Sequence, residues 1–363
     1  MHACRATGGS RTPKPSGRAE FLSLLGSPVT SEICSALRRW FAQHGVQEPS
    51  AGSRLAIAYS GGLDSTVLLQ VAQALWPGAV VAIHVNHGLQ AAAPAFEQHC
   101  AEVCRTLGLP LVVMPACIDV RPGDSLEEQA RIARYALLEA GASGQSCDVV
   151  WLAQHANDQA ETVMLALSRG AGVAGLAGMA ASFNVGKVRF GRPLLATPQS
   201  VLRSAAATHQ WTFVDDPTNA DVRFARNRFR QDVMPALIAA APGAVAALSR
   251  SARHCGQASG LLVDLAGIDM AQIGQPPALA GLRKLTPARQ ANVLRVWLHG
   301  LTGRAPSTAQ LDELVKQVAA ARTRGQRIDI KVGSGRVVRE KSCLQYVPSE
   351  TARLSRAVKS GSE

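Results

Sequence analysis

The chain has no stretch of about 18 uninterrupted apolar residues, so it is not expected to cross a membrane as a helix. It has no continuous apolar core near its start, which argues against a secretory signal. No acid occurs before Glu20, and this Gly/Pro/Ser-containing basic start fits a disordered tail over 1–24 better than an organelle transit peptide. No C-x-x-C pair occurs, and the eight cysteines are scattered, which argues against a disulfide framework and for a reducing cytoplasm. Cys100 and Cys104, four apart, are two ligands at most and make no zinc site. There is no long internal repeat and no acidic excess. The net charge of +12 favours a polyanionic partner, with nucleic acid the usual one.

Against these absences stands Ser60-Gly61-Gly62-Leu63-Asp64-Ser65. A short apolar run, Leu55–Tyr59, precedes it, and Leu68, Val71 and Leu75 follow at helical spacing. The hexapeptide is therefore the turn from a buried strand into a helix. Its glycines admit a ligand close to the backbone, and the helix start attracts an anion. Ser60 and Ser65 add hydroxyls. Asp64 suits such a site if it holds a metal that bridges to phosphates. No Gly-Lys-Ser/Thr follows, so this is not a Walker A loop.

A rhythm of strands and helices surrounds the loop: strands at Leu55–Tyr59, Val80–Val85, Leu111–Met114 and Val149–Ala153, with helices at Ser65–Leu75, Ala95–Leu107, Leu126–Ala140 and Asp158–Ser168. Pro77-Gly78, Gly108, Gly141 and Gly170 read as the stops. This alternation predicts an α/β fold with a parallel sheet and a site at the carboxyl ends of its strands. Gly170-Ala171-Gly172-Val173-Ala174-Gly175 matches G-x-G-x-x-G but follows a helix, so it is read as a close-approach loop and not a dinucleotide fingerprint.

Beyond Pro242 the character changes. Ala244–Leu265 has helical spacing broken only by Gly256 and Gly260, and it reads as a link between domains. Thr286-Pro287 and the Ser307/Gln310 capping box open two further helices. Arg327–Val332, Arg336–Arg339 and Leu344–Val347 read as a hairpin with a third strand. The expected organisation is a tail over 1–24, a catalytic domain over 25–235, a helical linker over 236–280, a small α+β domain over 281–348 and a tail over 349–363.

Five further segments carry chemistry: His84-Val85-Asn86-His87-Gly88-Leu89; Glu127–Tyr135 with Arg131 and Arg134; Gln154–Thr162 with Asp158 and Glu161; Arg169-Gly170-Ala171-Gly172; and Asp215–Asn219 followed by Arg226-Asn227-Arg228-Phe229-Arg230. Each has a bland reading, as a structural His, a solvated helix face, first-turn acids or a plain turn. Together with the loop, and in this order, they resemble the tRNA(Ile)-lysidine synthetase family of the PP-loop ATP pyrophosphatases. The resemblance is strong over 55–235. It is weaker over 283–347, where Trp297-Leu298 and Pro306-Ser307 match segments of a small tRNA-binding domain. Gln154 stands where a first His is common and Asn157 where a first Asp is common, leaving Asp158 as the one carboxylate of that pair. The chain also ends short of a further C-terminal domain found in some members.

The resemblance implies a PP-loop ATPase domain of the adenine nucleotide alpha hydrolase-like kind, with a small α+β domain after it. It implies a ligase that uses ATP and Mg²⁺ to adenylate the C2 carbonyl oxygen of the wobble cytidine of tRNA(Ile), releasing pyrophosphate. L-lysine then displaces AMP, leaving lysidine and changing decoding from AUG to AUA. ATP would meet Ser60, Gly61, Gly62, Leu63, Asp64, Ser65, His84, Arg169, Gly170 and Gly172, with Asp64 on the metal. Asp64, Asp158, Arg131 and Arg134 would be catalytic. Lysine would meet Asp158 and Glu161, unless Asp158 joins Asp64 on the metal. Arg226, Asn227, Arg228 and Arg230 would meet tRNA. A homodimer is admitted but not required. The competing readings are a 2-thiolating tRNA enzyme of the same loop class, an amidating metabolite synthetase, and a nucleic-acid binder with a relic loop. The missing C-x-x-C, the basic C-terminal domain and the intact Ser60, Asp64 and Ser65 argue against them in turn.

Overall fold

The computed structural model describes residues 26–50, 52–86, 93–116, 126–215, 225–323 and 326–348. In the first of two compact units, a six-stranded sheet is built from β1 (Arg54–Ala58), β2 (Val80–Asn86), β3 (Leu111–Pro115), β4 (Cys147–Trp151), β5 (Ser182–Val185) and β6 (Val188–Gly191), in the order β3-β2-β1-β4-β6-β5. All neighbours are parallel except β5, which pairs antiparallel with β6 at the edge.

Successive strand residues feed opposite cores, as the two-residue period of a strand requires. Leu55, Ile57, Val149 and Trp151 point to one face, where α1 (Pro28–His44), α2 (Leu63–Leu75) and α7 (Gln199–Thr208) pack. Trp40, Phe41, Trp76 and Trp151 meet there edge-on and tilted. Ala56, Ile83, Val150 and Phe190 point to the other face, against Leu138 and Ala142 of α4 (Leu126–Gly144). A Leu138→Ala change in that fully enclosed layer should cost about 2–5 kcal/mol. Remaining helices of this unit are α3 (Ala93–Leu107), α5 (Ala156–Ser168), a one-turn α6 (Val173–Leu176), α8 (Ala225–Arg228), a π turn over Phe229–Val233, and α9 (Met234–Ala240).

Several boundaries differ from the sequence reading. α2 starts at Leu63, so Asp64 lies in its first turn. α4 runs through Gly141 to Gly144, because Gly141 is a packing residue: a Cβ there would lie 3.2 Å from Ile83. The β5–β6 hairpin was not anticipated, since four-residue strands carry too little period to read. α10 (Ala244–Ile273) is one 30-residue helix that passes through Gly256 and Gly260 without a break. The chain divides into its two units inside this helix, between Cys255 and Gly256.

In the second unit, α11 (Leu279–Leu282), α12 (Pro287–Thr302) and α13 (Thr308–Ala320) pack with the antiparallel sheet β7 (Asp329–Val332), β8 (Gly335–Glu340) and β9 (Cys343–Pro348). Both anticipated caps are present. Thr286 accepts from the Arg289 N–H, and Ser307 and Gln310 exchange side-chain and backbone bonds at 3.3 and 2.9 Å. Trp297 and Leu298 belong to this unit's core, with Leu294, Leu314 and Val337. Among the described residues no single helix is long and apolar enough to cross a membrane.

Candidate active site

The Ser60–Ser65 loop leaves β1 between the ends of β2 and β4. Gly61 sits at φ +82°, and a Cβ on it would press on Cys100 Sγ at 3.1 Å. Both facts require glycine there. The two serines shape the loop: Ser65 Oγ donates to the Gly62 carbonyl at 3.0 Å and lies 3.0 Å from Ser60 Oγ. Gly62 caps α2 without a side chain, so no side-chain acceptor competes for the first-turn N–H groups, and buried Leu63 anchors that turn. His84 is buried, with Nδ1 2.9 Å from the Tyr59 carbonyl, and so braces the loop from beneath.

Asp64 projects from that first turn toward α5. Its Oδ2 lies 3.4 Å from Nε2 of buried His155, while its Oδ1 is enclosed and has no hydrogen-bond partner among the described residues. His155 is the N-cap of α5: its Nδ1 accepts from the Asp158 N–H, and its own N–H donates to Asp158 Oδ2 at 3.1 Å. With Nδ1 accepting, the ring proton sits on Nε2, toward the carboxylates of Asp64 and Asp158. Burial alone would lower the His155 pKa. The hydrogen bond to Asp64 and the charges of Asp158 and Asp64 outweigh it, and the net direction is upward, with Arg230 opposing.

One helical turn on, Asp158 and Glu161 share a face of α5. Arg226 and Arg230, from α8 and the π turn, close on that face. Both guanidinium groups donate to Asp158 Oδ1 at 3.0 Å. Arg226 Nε meets Glu161 Oε2 at 3.0 Å, and Arg230 Nε meets Oε1 at 2.7 Å. The acids expected to receive lysine and two of the arginines expected to receive tRNA are thus one ion-pair network. Among the other residues of the RNR run, Arg228 is exposed and Asn227 is partly buried.

The two departures from the family motif have work of their own. Asn157 Oδ1 accepts from the Gln199 N–H at 3.0 Å and so starts α7. Gln154 Oε1 accepts from Arg192 Nε at 3.0 Å. Gln159 brackets Met179 through both its amide atoms. The Arg169–Gly172 segment ends α5: Gly170, at φ +68°, donates to the Leu167 carbonyl and Ala171 to that of Ala166. Arg169, Gly170 and Gly172 are exposed there. On α4, half-exposed Arg131 pairs with Glu128 at 2.9 Å, and the Arg134 guanidinium lies 5.7 Å from the Tyr135 ring centre. His87, Gly88 and Leu89 and the Asp216–Asn219 turn lie outside the described residues.

His155 and Arg192 were not among the residues expected to act. His155 was visible inside its motif but has the outward pattern of a structural histidine. Arg192 stands alone after a strand too short to read.

Comparisons with known proteins agree with this geometry. A family model described as PP-loop domain matches residues 35–237, and one described as TilS substrate binding domain matches 278–345. The tRNA(Ile)-lysidine synthase of Polaromonas naphthalenivorans is 50% identical over 82% of this chain and 91% of its own length. Those of Pseudomonas aeruginosa and Burkholderia pseudomallei are 43% and 44% identical over 76% and 74% of this chain, which spans 63% and 56% of their lengths. Among solved structures, the U34-tRNA thiolase NcsA of Methanococcus maripaludis shares the fold, with a TM-score of 0.53 and 18% identity over 62% of this chain and 79% of its own. The chain belongs to the tRNA(Ile)-lysidine synthase family.

Proposed function

We infer that this chain is an ATP-dependent ligase that joins the side-chain amine of lysine to C2 of the wobble cytidine of tRNA(Ile), through an adenylated tRNA and with release of pyrophosphate and AMP. The observation that carries the reading is Asp64. In the first turn of α2, one residue beyond two glycines, it is held by a buried histidine, with one enclosed carboxylate oxygen left without a partner among the described residues. An enclosed carboxylate oxygen beside an anion-attracting helix start fits a hard cation shared with substrate phosphates. Among the described residues no group of three or more His, Cys, Asp or Glu side chains forms a metal cage. That suits Mg²⁺, which takes one or two protein carboxylates and completes its shell with water and phosphate. Bound there, Mg²⁺ would neutralise charge on the phosphate chain.

The residues divide the work as follows. The loop backbone over Ser60–Ser65 cradles the phosphates, and His155 holds Asp64 toward them. Arg131 and Arg134 offset charge that builds up as pyrophosphate leaves. Lysine arrives as a cation with a pKa near ~10.4 and must shed a proton before attack. Asp158 and Glu161 are the carboxylates placed for it, in exchange with the Arg226 and Arg230 guanidinium groups that hold them. The exposed cations of the second unit, Lys331 and Arg327 among them, meet tRNA phosphates. A 2-thiolation chemistry is less well supported. Cys100 and Cys104, beside the loop, are enclosed thiols whose burial pushes each up to about 12, far from sulfur-carrying thiolates.

ATP–pyrophosphate exchange, with and without tRNA and with and without lysine, tests the assignment. Exchange that needs tRNA but not lysine is expected. Asp158→Asn should keep that exchange and lose the lysine step, so that adenylated tRNA accumulates in a single turnover. Loss of exchange itself in Asp158→Asn would move Asp158 from lysine to the metal. Normal kinetics in both steps would remove it from both.

A further inference from the structure

Among the described residues, one charge at the carboxyl edge of the sheet has no acid among its hydrogen-bond partners. Arg192 follows β6 directly and is 8% exposed. Its Nε donates to Gln154 Oε1 at 3.0 Å, Nη1 to the Ala180 carbonyl at 2.7 Å and Nη2 to Tyr135 Oη at 3.0 Å. Its guanidinium plane lies 4.5 Å over the centre of the Phe183 ring. None of these partners is a carboxylate. Burial works to lower its pKa; Tyr135 opposes that, and Arg131 and Arg134 add to it. A buried cation without a counter-ion is costly, and a neutral side chain could meet three acceptors more cheaply.

The partners show what the charge is placed to do. Gln154 adjoins His155, which holds Asp64. Tyr135 lies on α4 beside Arg131 and Arg134, which approach its ring at 6.0 and 5.7 Å. Arg192 therefore ties the Asp64 side of the site to the arginine side. β6 pairs in parallel with β4, and β4 with β1, so Arg192, Gln154 and Ser60 all leave the sheet at the same edge. Two strand spacings are roughly 10 Å, a range over which a buried charge is only partly screened. A backbone position so near the core is also fixed, because a Cβ on Gly191 would overlap Trp40 and Trp151.

We propose that Arg192 is a positioning residue for the ATP half of the reaction: clamped between Gln154 and Tyr135, its uncompensated buried charge takes the phosphate chain of ATP as its counter-charge. This rests on the reading of the Ser60–Ser65 loop as the phosphate cradle.

Calorimetric binding of inorganic pyrophosphate and of ATP, without tRNA or lysine, tests the proposal on the parent chain, Arg192→Gln and Arg192→Lys, alongside thermal unfolding of each. Arg192→Gln should unfold at the parent's temperature or above it and bind pyrophosphate roughly tenfold more weakly. It should raise KM for ATP more than it lowers kcat. Arg192→Lys should recover most of the affinity, because it keeps the charge and loses only the fork. Tyr135→Phe frees one arm of the clamp without emptying the core and should weaken pyrophosphate binding by about two- to fivefold; it carries the test if Arg192→Gln does not fold. Parent-like pyrophosphate binding by Arg192→Gln, or by Tyr135→Phe, would overturn the proposal. So would equal weakening in the Gln and Lys variants together with a lowered unfolding temperature, the mark of a purely structural arginine. A parent chain that binds neither pyrophosphate nor ATP would overturn the cradle reading, and this proposal with it.

Discussion

Asp158, Glu161, Arg226 and Arg230 saturate one another, two acids against two guanidinium groups, with each carboxylate held from both arginines. Arg192 and Asp64 differ in kind. The arginine is buried among neutral acceptors, and the aspartate keeps an enclosed oxygen that no described residue hydrogen-bonds. Saturated charge holds structure and releases it only in exchange for another ion. Unsaturated charge carries a desolvation cost that a ligand of opposite sign can relieve. On the proposed function, the first group would shape the lysine side of the site, and the second would mark where metal and phosphate are due.

The contrast breaks most visibly at Asp64. Asp64→Ala should reduce AMP formation by at least ~10³-fold, while stability changes by no more than about 1 kcal/mol, since the side chain is part-exposed and outside the core. A large stability loss with activity retained, read by denaturant unfolding and an AMP assay, would place Asp64 in the saturated class.

Glu161 should carry a larger stability cost. It is 2% exposed and receives three hydrogen bonds from two arginines. Glu161→Ala should therefore cost about 2–3 kcal/mol in denaturant unfolding, the lower end for a broken buried pair because the guanidinium groups reach solvent. Arg226→Ala should cost less, about 1 kcal/mol, since Arg230 still holds both acids. Equal losses in these two variants would contradict the shared network.

The smallest effect belongs to a third kind of charge, spread on the surface of the second unit. Lys331 is exposed on β7. If it meets one tRNA phosphate, Lys331→Ala should flatten the log–log salt dependence of tRNA binding by about 0.7–0.9 and leave ATP binding alone. An unchanged slope would remove that contact.

Much of this is legible in the sequence. The strand–turn–helix around Ser60–Ser65, the parallel alternation and both caps of the second unit come from local signals: glycine conformation, strand period and Ser/Thr capping. The limits of that reading are equally physical. The β5–β6 hairpin is too short to show a period, so Arg192 at its end had no context. Gly141, Gly256 and Gly260 looked like stops, but a glycine inside a helix costs only about 1 kcal/mol, which α4 and α10 carry, and Gly141 sits where a Cβ would press on Ile83. Asp158, Glu161, Arg226 and Arg230 were each singled out, but their pairing across some 65 residues of chain is a tertiary fact that spacing cannot carry. Of the Arg169–Gly172 glycines, also read as a nucleotide loop, Gly170 stops α5 as its sequence position suggests, and Gly172 caps α6.

The most direct test of the whole account is incubation of the chain with tRNA(Ile) carrying the CAU anticodon, ATP and labelled lysine, followed by digestion and nucleoside analysis. The account predicts label in a single modified cytidine at the wobble position, formed with one AMP per lysine and lost in Asp64→Ala. Adenylation that proceeds without any lysine entering the nucleoside, or label that enters with Asp64→Ala as well, would contradict it.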